Sequence, residues 1–89
     1  MNQQRYALRA HVSYVETIDG AVLLNRRTGR YWQLNPTAAL VLRTLCEDGT
    51  PEQAADTLAQ QYPAAADRAH DDVQALLQAL HDADALAAP

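Results

Sequence analysis

The side chains best suited to catalysis or metal binding in this sequence are one cysteine and three histidines. His11, His70 and His81 lack both a histidine four residues away and a paired-cysteine motif, so we interpret them as solvated side chains on polar faces. Cys46 stands at helical spacing among apolar residues, and no motif orders it with a histidine and an aspartate, which predicts a buried, inert thiol. The sequence therefore predicts no metal site, no cofactor and no enzyme.

Acidic residues gather on and around the last predicted helix. They are Asp67, Asp71, Asp72, Asp82 and Asp84. One interpretation is that they complement the positive end of the helix dipole and form a solvated face, and the other is an acidic rim beside a binding groove. The same helix carries an apolar stripe that belongs first to the core and is wide enough to leave one flank open to a ligand.

The stretch Gly29-Arg30-Tyr31-Trp32-Gln33-Leu34-Asn35-Pro36 is the strongest candidate for a working surface. It is a short aromatic strand that runs directly into a helix start, because Asn is a favoured N-cap and Pro suits the first helical position. Everything before it has strand character and everything after it has helix character. The chain is therefore predicted to change layers here.

Length and charge restrict the class of protein. With 89 residues the chain is expected to form one domain over residues 1–86, followed by a loose tail at 87–89. A net charge of -4 and the absence of lysine argue against a nucleic-acid binder. The single cysteine, the lack of an apolar N-terminal segment and the lack of a run long enough to span a bilayer predict a cytoplasmic protein without membrane contact.

Hydrophobic patterning predicts three strands followed by three helices. Alternating residues and the turns at Asp19-Gly20 and Gly29 place strands over about 8–16, 21–25 and 30–34. Two short loops make these strands an antiparallel meander, with the second strand central and the third at an edge. Capping signals at Asn35 and Thr50, and apolar residues at helical spacing, place helices over about 36–47, 51–62 and 67–83.

The predicted edge strand is unusual because it carries large apolar side chains. Exposed edges are normally blunted by proline, short length or charge, whereas this one carries Tyr31, Trp32 and Leu34. An open edge of this kind is suited to accept a strand from a partner. The alternative is that another segment, such as residues 1–6, covers the edge, and the sequence leaves both possibilities open.

These segments resemble the PqqD-like proteins, and more closely the discrete leader-binding proteins of lasso-peptide gene clusters. The resemblance lies in residues 19–24, in 28–38 and in the later Asp72-Val73, Leu76-Leu77 and Leu80, and it extends over about residues 12–86. Its most specific part is the Gly-x-Tyr-aromatic-x-Leu-Asn segment. The family fold is a three-stranded antiparallel sheet followed by a three-helix bundle, an α+β relative of the winged helix-turn-helix.

The resemblance implies a recognition protein that captures the leader of a ribosomally made precursor peptide as a fourth strand. We expect a monomer in solution, although the sequence does not fix the oligomeric state. The protein would then pass the peptide to a separate cysteine peptidase and an ATP-dependent cyclase. By position, the leader backbone would pair with Arg30, Tyr31, Trp32, Gln33 and Leu34. Its apolar anchors would lie against Asp72, Val73, Leu76 and Leu80 of the last helix.

Two points remain open from the resemblance. Whether Tyr31 or Trp32 faces the groove depends on the pleat, since a slip of one residue reverses the answer. The family commonly has a Gly-Leu pair after the last helix, whereas Asp84-Ala85-Leu86 stands here, which leaves the helix end undetermined. The alternative functions are a chaperone for another peptide-modifying enzyme, such as a radical SAM enzyme, and a winged-helix DNA-binding protein.

Overall fold

The computed structural model describes residues 6–47 and 49–87 and confirms the α+β fold. The antiparallel sheet contains β2 (Val12–Thr17), β3 (Gly20–Asn25) and β4 (Tyr31–Leu34), in the order β2-β3-β4. The helices are α1 (Pro36–Cys46), α2 (Pro51–Gln61) and α3 (Ala69–Asp82). Two short strands, β1 (Ala7–Leu8) and β5 (Leu86–Ala87), pair with each other.

Turn residues fix the register of the sheet. Gly20 and Gly29 both have positive φ angles, 138° and 78°, as the turn signals predict. Between β3 and β4 the buried Asn25 carboxamide accepts hydrogen bonds from the backbone N–H of Arg27 at 2.9 Å and of Thr28 at 3.3 Å. This local network closes the turn that brings β4 beside β3.

The start of α1 is tied directly to the end of β4. Asn35 has an extended backbone, and its side-chain oxygen accepts a hydrogen bond from the N–H of Ala38 at 2.8 Å. Thr50 and Gln53 form the reciprocal capping box at the start of α2, with bonds of 3.1 and 2.9 Å. The predicted helix starts at Asn35 and Thr50 are therefore confirmed.

The core consists of two adjoining clusters. In one, Ala21 and Leu23 of β3 and Leu34 of β4 pack with residues of α1, α3 and β5. In the other, the apolar faces of the three helices meet around Leu45, Leu58 and Val73. Leu76 and Leu77 of α3 are half-buried and pack against both clusters, so α3 connects the sheet to the helical part of the fold.

The prediction of one first strand over 8–16 is wrong. The chain turns between Leu8 and Val12, where the N–H of Val12 donates to the carbonyl of Arg9 at 2.9 Å. Leu8 leaves the sheet and pairs with Leu86 near the other end of the chain. A two-residue strand has no alternating pattern, so its long-range partner leaves no local signal in the sequence.

The predicted third helix begins later than residue 67. Residues Pro63–Arg68 form a 3₁₀ helix that buries Ala65, and α3 starts at Ala69. After α3, Asp84 adopts the left-handed φ of 57° and reverses the chain, which allows Leu86 and Ala87 to form β5. Ala87 therefore belongs to a strand rather than to the predicted tail, and residues 88 and 89 lie outside the described residues.

Candidate functional site

Within residues 6–47 and 49–87, β4 pairs with β3 on one side and has no strand on the other. The N–H of Asn25 donates to the carbonyl of Arg30 at 2.8 Å, so the pair beside it, Leu24 and Tyr31, is a non-hydrogen-bonded pair. The backbone N–H and C=O groups of Tyr31, and by alternation those of Gln33, therefore point toward the open edge. These four groups are available to an added strand.

The register decides which aromatic side chain faces the helices. Trp32 lies opposite Leu23, which is fully buried, whereas Tyr31 lies opposite Leu24 on the outer face. Trp32 is half-buried against the core cluster that contains Leu23 and Leu34, while 66% of Tyr31 is exposed. Trp32 is therefore the aromatic residue on the helix side of the edge, and Tyr31 lies on the solvent side.

A cavity of about 310 Å³ lies between α1 and α3 and begins at Asn35, the residue directly after β4. It is lined by Asn35, Thr37, Ala38, Val41, Leu58, Arg68, Asp72, Ala75 and Leu76. Leu76 is the half-buried apolar residue at its α3 side, and Asp72 and Arg68 bring opposite charges to its rim. The arrangement suits an extended peptide that follows β4 and places an apolar side chain next to Leu76.

Two residues predicted for the groove wall belong to the core instead. Val73 is fully buried between the helices, and Leu80 is 3% exposed in the sheet-side cluster. Leu34 is also buried, and by the same alternation its backbone groups point toward β3. Arg30 is exposed but precedes β4 rather than lying in it. Of the residues predicted to bind the peptide, Tyr31, Trp32 and Gln33 on the strand and Asp72 and Leu76 on the helix stay candidates.

Sequence reasoning missed the cavity residues that come from other elements. Thr37 and Ala38 of α1 line it because the Asn35 cap turns the chain next to the edge. Arg68 closes the 3₁₀ helix, and Ala75 lies one residue before Leu76. The Asn35-Pro36 signal indicated that α1 starts beside the strand, whereas no pattern in the sequence placed Arg68 there.

A family model for the coenzyme PQQ synthesis protein D (PqqD) matches residues 20–86. This chain belongs to the PqqD family. The matched segment begins at the Gly20 turn and contains the open edge, the cavity and all three helices. A search of curated protein sequences found no match.

Two solved structures have the same fold as this PqqD-family chain. One, described as lasso peptide synthetase B1 complexed with the leader peptide, has a TM-score of 0.84 and 35% sequence identity, and the match covers 93% of this chain and 98% of that chain. The other, TbiB1 in complex with the TbiA(beta) leader peptide, has a TM-score of 0.78 and 25% identity, with 89% and 92% covered. Both relatives are therefore complexes with leader peptides.

A larger depression of this PqqD-family chain is less suited to an extended ligand. A depression of about 470 Å³ near the start of α2 is open and polar and adjoins no strand edge.

In the described ranges, 6–47 and 49–87, no three His, Cys, Asp or Glu side chains come together to hold a metal ion. None of the described helices is long and apolar enough to cross a membrane.

The structure corrects two side-chain predictions. Cys46 is exposed rather than buried, at the end of α1 beside Leu8 and Tyr14. His11, predicted to be solvated, has a side chain only 14% exposed, with its Nε2 atom 3.4 Å from a carboxylate oxygen of Asp84. The turn at 9–11 accounts for the position of His11, because it places this side chain against Asp84.

The thiol of Cys46 is expected to react slowly at neutral pH. Desolvation by the atoms packed around its sulfur raises its pKa, a backbone hydrogen bond at Leu8 lowers it and the nearby Glu47 raises it, with a net increase above the ordinary value. Only the thiolate is nucleophilic, so the rate of alkylation by iodoacetamide should keep rising about tenfold per pH unit to beyond pH 9. A rate that levels off below pH 8 would instead indicate an activated nucleophile.

Proposed function

We propose that this PqqD-family chain binds the leader segment of a ribosomally synthesised precursor peptide as a fourth strand beside β4. The observation that carries the proposal is the open edge of β4, with its cavity next to α3, in a chain 35% identical to a protein solved with a leader peptide. The function is recognition rather than catalysis.

Backbone and side chains have different roles in this binding. The free N–H and C=O groups of Tyr31 and Gln33 supply hydrogen bonds that any extended peptide is able to satisfy. Selectivity then depends on the helix side, where Trp32 and Leu76 offer apolar contact and Asp72 and Arg68 offer charge. Leader side chains that alternate toward α3 enter this groove, as the pleat of an added strand requires.

The bound peptide is presented to separate enzymes. Because the leader occupies only the edge of a small domain, the core peptide remains free for a cysteine peptidase and an ATP-dependent cyclase of a lasso-peptide system. We expect the protein to act as a monomer, and bound leader removes the edge of β4 as a site of pairing between two copies. The match to the PQQ synthesis protein D model supports a second candidate, delivery to another peptide-modifying enzyme such as a radical SAM enzyme.

The test first searches the reading frames beside the gene for this chain for a short precursor peptide and then uses that peptide. Fluorescein-labelled synthetic leader, the complete precursor and the leaderless core peptide are titrated with the protein, and binding is followed by fluorescence polarisation. Leader and complete precursor should bind with equal affinity, and the core peptide should not bind. A scrambled leader of the same composition controls for non-specific contact.

Two results would contradict the proposal. Equal binding of the complete precursor and the leaderless peptide would show that the leader is not what is recognised. A leader that binds without protecting the Tyr31 and Gln33 amides from hydrogen exchange would show that it binds elsewhere than at the edge. Addition of the protein to the peptidase should increase the rate of leader removal, and a radical SAM partner would be indicated if only that enzyme responds.

A further inference from the structure

The outer face of the sheet carries apolar side chains that the recognition groove does not use. Val15 is 60% exposed, Leu24 is 38% exposed and Tyr31 is 66% exposed. The helices pack on the opposite face, where Ala21, Leu23 and Leu34 are buried. Tyr31 is the member of this outer set that lies on β4 itself, next to the open edge.

An added strand must place half of its side chains on this outer face. The backbone groups of Tyr31 point toward the edge, so in a leader strand that runs antiparallel to β4 the residue opposite Tyr31 forms a hydrogen-bonded pair with it, and the two side chains lie on the same face. On its other side Tyr31 already pairs with Leu24. A leader side chain at this position would therefore extend a row that contains Leu24 and Tyr31.

We infer that Tyr31 is a specificity-determining residue that reads the outward-facing side of the leader. The inference rests on the proposed function, and it assigns to the leader residue opposite Tyr31 an apolar side chain, either β-branched or aromatic. Cross-strand pairs of an aromatic ring with such side chains are the favourable ones in antiparallel sheets. The leader is then read on both faces, by Trp32 and Leu76 on the inside and by Tyr31 on the outside.

The pleat makes this inference testable with a leader of any sequence. Each leader position is changed to alanine, and the binding of every peptide is measured with the wild-type protein, with Tyr31→Thr and with Leu76→Ala. Threonine keeps the strand propensity of position 31 while removing the ring. Neighbouring side chains of a strand point to opposite faces. The sequence numbers of the leader residue coupled to Tyr31 and of the one coupled to Leu76 should therefore differ by an odd number.

The expected effect of Tyr31→Thr is a loss of leader affinity of about threefold to fivefold. That loss should disappear when the leader residue opposite position 31 is already alanine. Tyr62→Thr is the matched control, because Tyr62 is 37% exposed at the end of α2, away from β4. Val15→Thr is a second control on the same face, on the far strand β2.

The outcomes separate this inference from the proposed function. If the wild-type protein does not bind the leader, the proposed function itself fails. If the leader binds but Tyr31→Thr binds as tightly as the wild type, the proposed function stands and the reading by Tyr31 is overturned. An even difference between the sequence numbers of the two coupled leader residues would also overturn the reading by Tyr31, because both side chains would then lie on the same face of the sheet.

Discussion

Replacement of Leu76 by aspartate is expected to reduce leader affinity by about 100-fold or more while the fold is retained. Leu76 is half-buried and lines the cavity beside the end of β4. A carboxylate at this position is partly hydrated in the free protein and loses that hydration when an apolar leader side chain enters. The measurement is a fluorescence polarisation titration with the leader, with circular dichroism of each variant as the test of folding.

The adjacent residue provides a matched control. Leu77 has the same intermediate burial and packs against the same two clusters, but it lines a different cavity, with Tyr6, Gln78 and Leu86. Leu77→Asp should therefore have a similar effect on stability and little effect on leader affinity. If both variants lose binding equally while folded, the groove does not lie on the Leu76 side of α3, and the assignment is wrong.

Ala75→Glu decides the question if Leu76→Asp unfolds. Ala75 lines the same cavity and its side chain is exposed, so a larger polar side chain is tolerated by the fold. Glutamate at this position occupies the space that the leader needs and should weaken binding at least about tenfold. Unchanged affinity of a folded Ala75→Glu variant would remove the cavity from the binding site.

Local signals in the sequence were sufficient to predict the order of the three-stranded sheet and the starts of α1 and α2. Gly20 and Gly29 adopt the positive φ angles that their turns require, and Asn35 caps α1 as its position before a proline indicates. Each of these signals acts over fewer than five residues, where chain stereochemistry decides the conformation. The order β2-β3-β4 then follows, because short loops leave consecutive strands side by side.

Features that depend on distant partners were not predictable in the same way. The pairing of Leu8 with Leu86 joins the two ends of the described chain, and His11 lies against Asp84, 73 positions away in the sequence. Val73 and Leu80 fit a groove as well as a core by spacing alone, and only the packing of α3 on both clusters shows that they are buried. Leu76, on the same helix, differs from them in that it remains half-exposed.

The end of α3 shows how one position combines both kinds of information. Asp84 takes the left-handed conformation for which glycine is the usual choice, and asparagine and aspartate tolerate it better than other residues. Its carboxylate lies 3.3 Å from Nε of Arg9 and 3.4 Å from Nε2 of His11. These contacts join the segment after β1 to the end of α3. Glycine, which has no side chain, could not make them.

Replacement of Gly20 by alanine is expected to destabilise the fold strongly. Gly20 has a φ of 138°, and a Cβ atom there would lie 1.9 Å from the carbonyl oxygen of Leu34 and 2.9 Å from the carbonyl carbon of Asn35. No flexible side chain is able to move aside, because both contacts are backbone atoms. Backbone strain and the clash together should lower the free energy of unfolding by about 3 kcal/mol or more.

The site of this clash connects stability to binding. Leu34 ends β4 and Asn35 caps α1, so displacement of their backbone separates the open edge from the cavity that follows it. Gly20→Ala should therefore weaken leader binding even under conditions in which the variant remains folded. Urea denaturation gives the loss of stability, and polarisation titrations at low temperature give the loss of affinity.

Gly29→Ala separates backbone strain from the clash. Gly29 also has a positive φ, 78°, but nothing lies within 4 Å of the position that a Cβ atom would occupy. Its replacement should cost only about 1 kcal/mol, from the left-handed conformation alone. A rigid junction between β4 and α1 has no room for the methyl group that Gly20→Ala adds. If Gly20→Ala is no more destabilising than Gly29→Ala, the backbone at Leu34 and Asn35 moves aside, and the junction is not rigid.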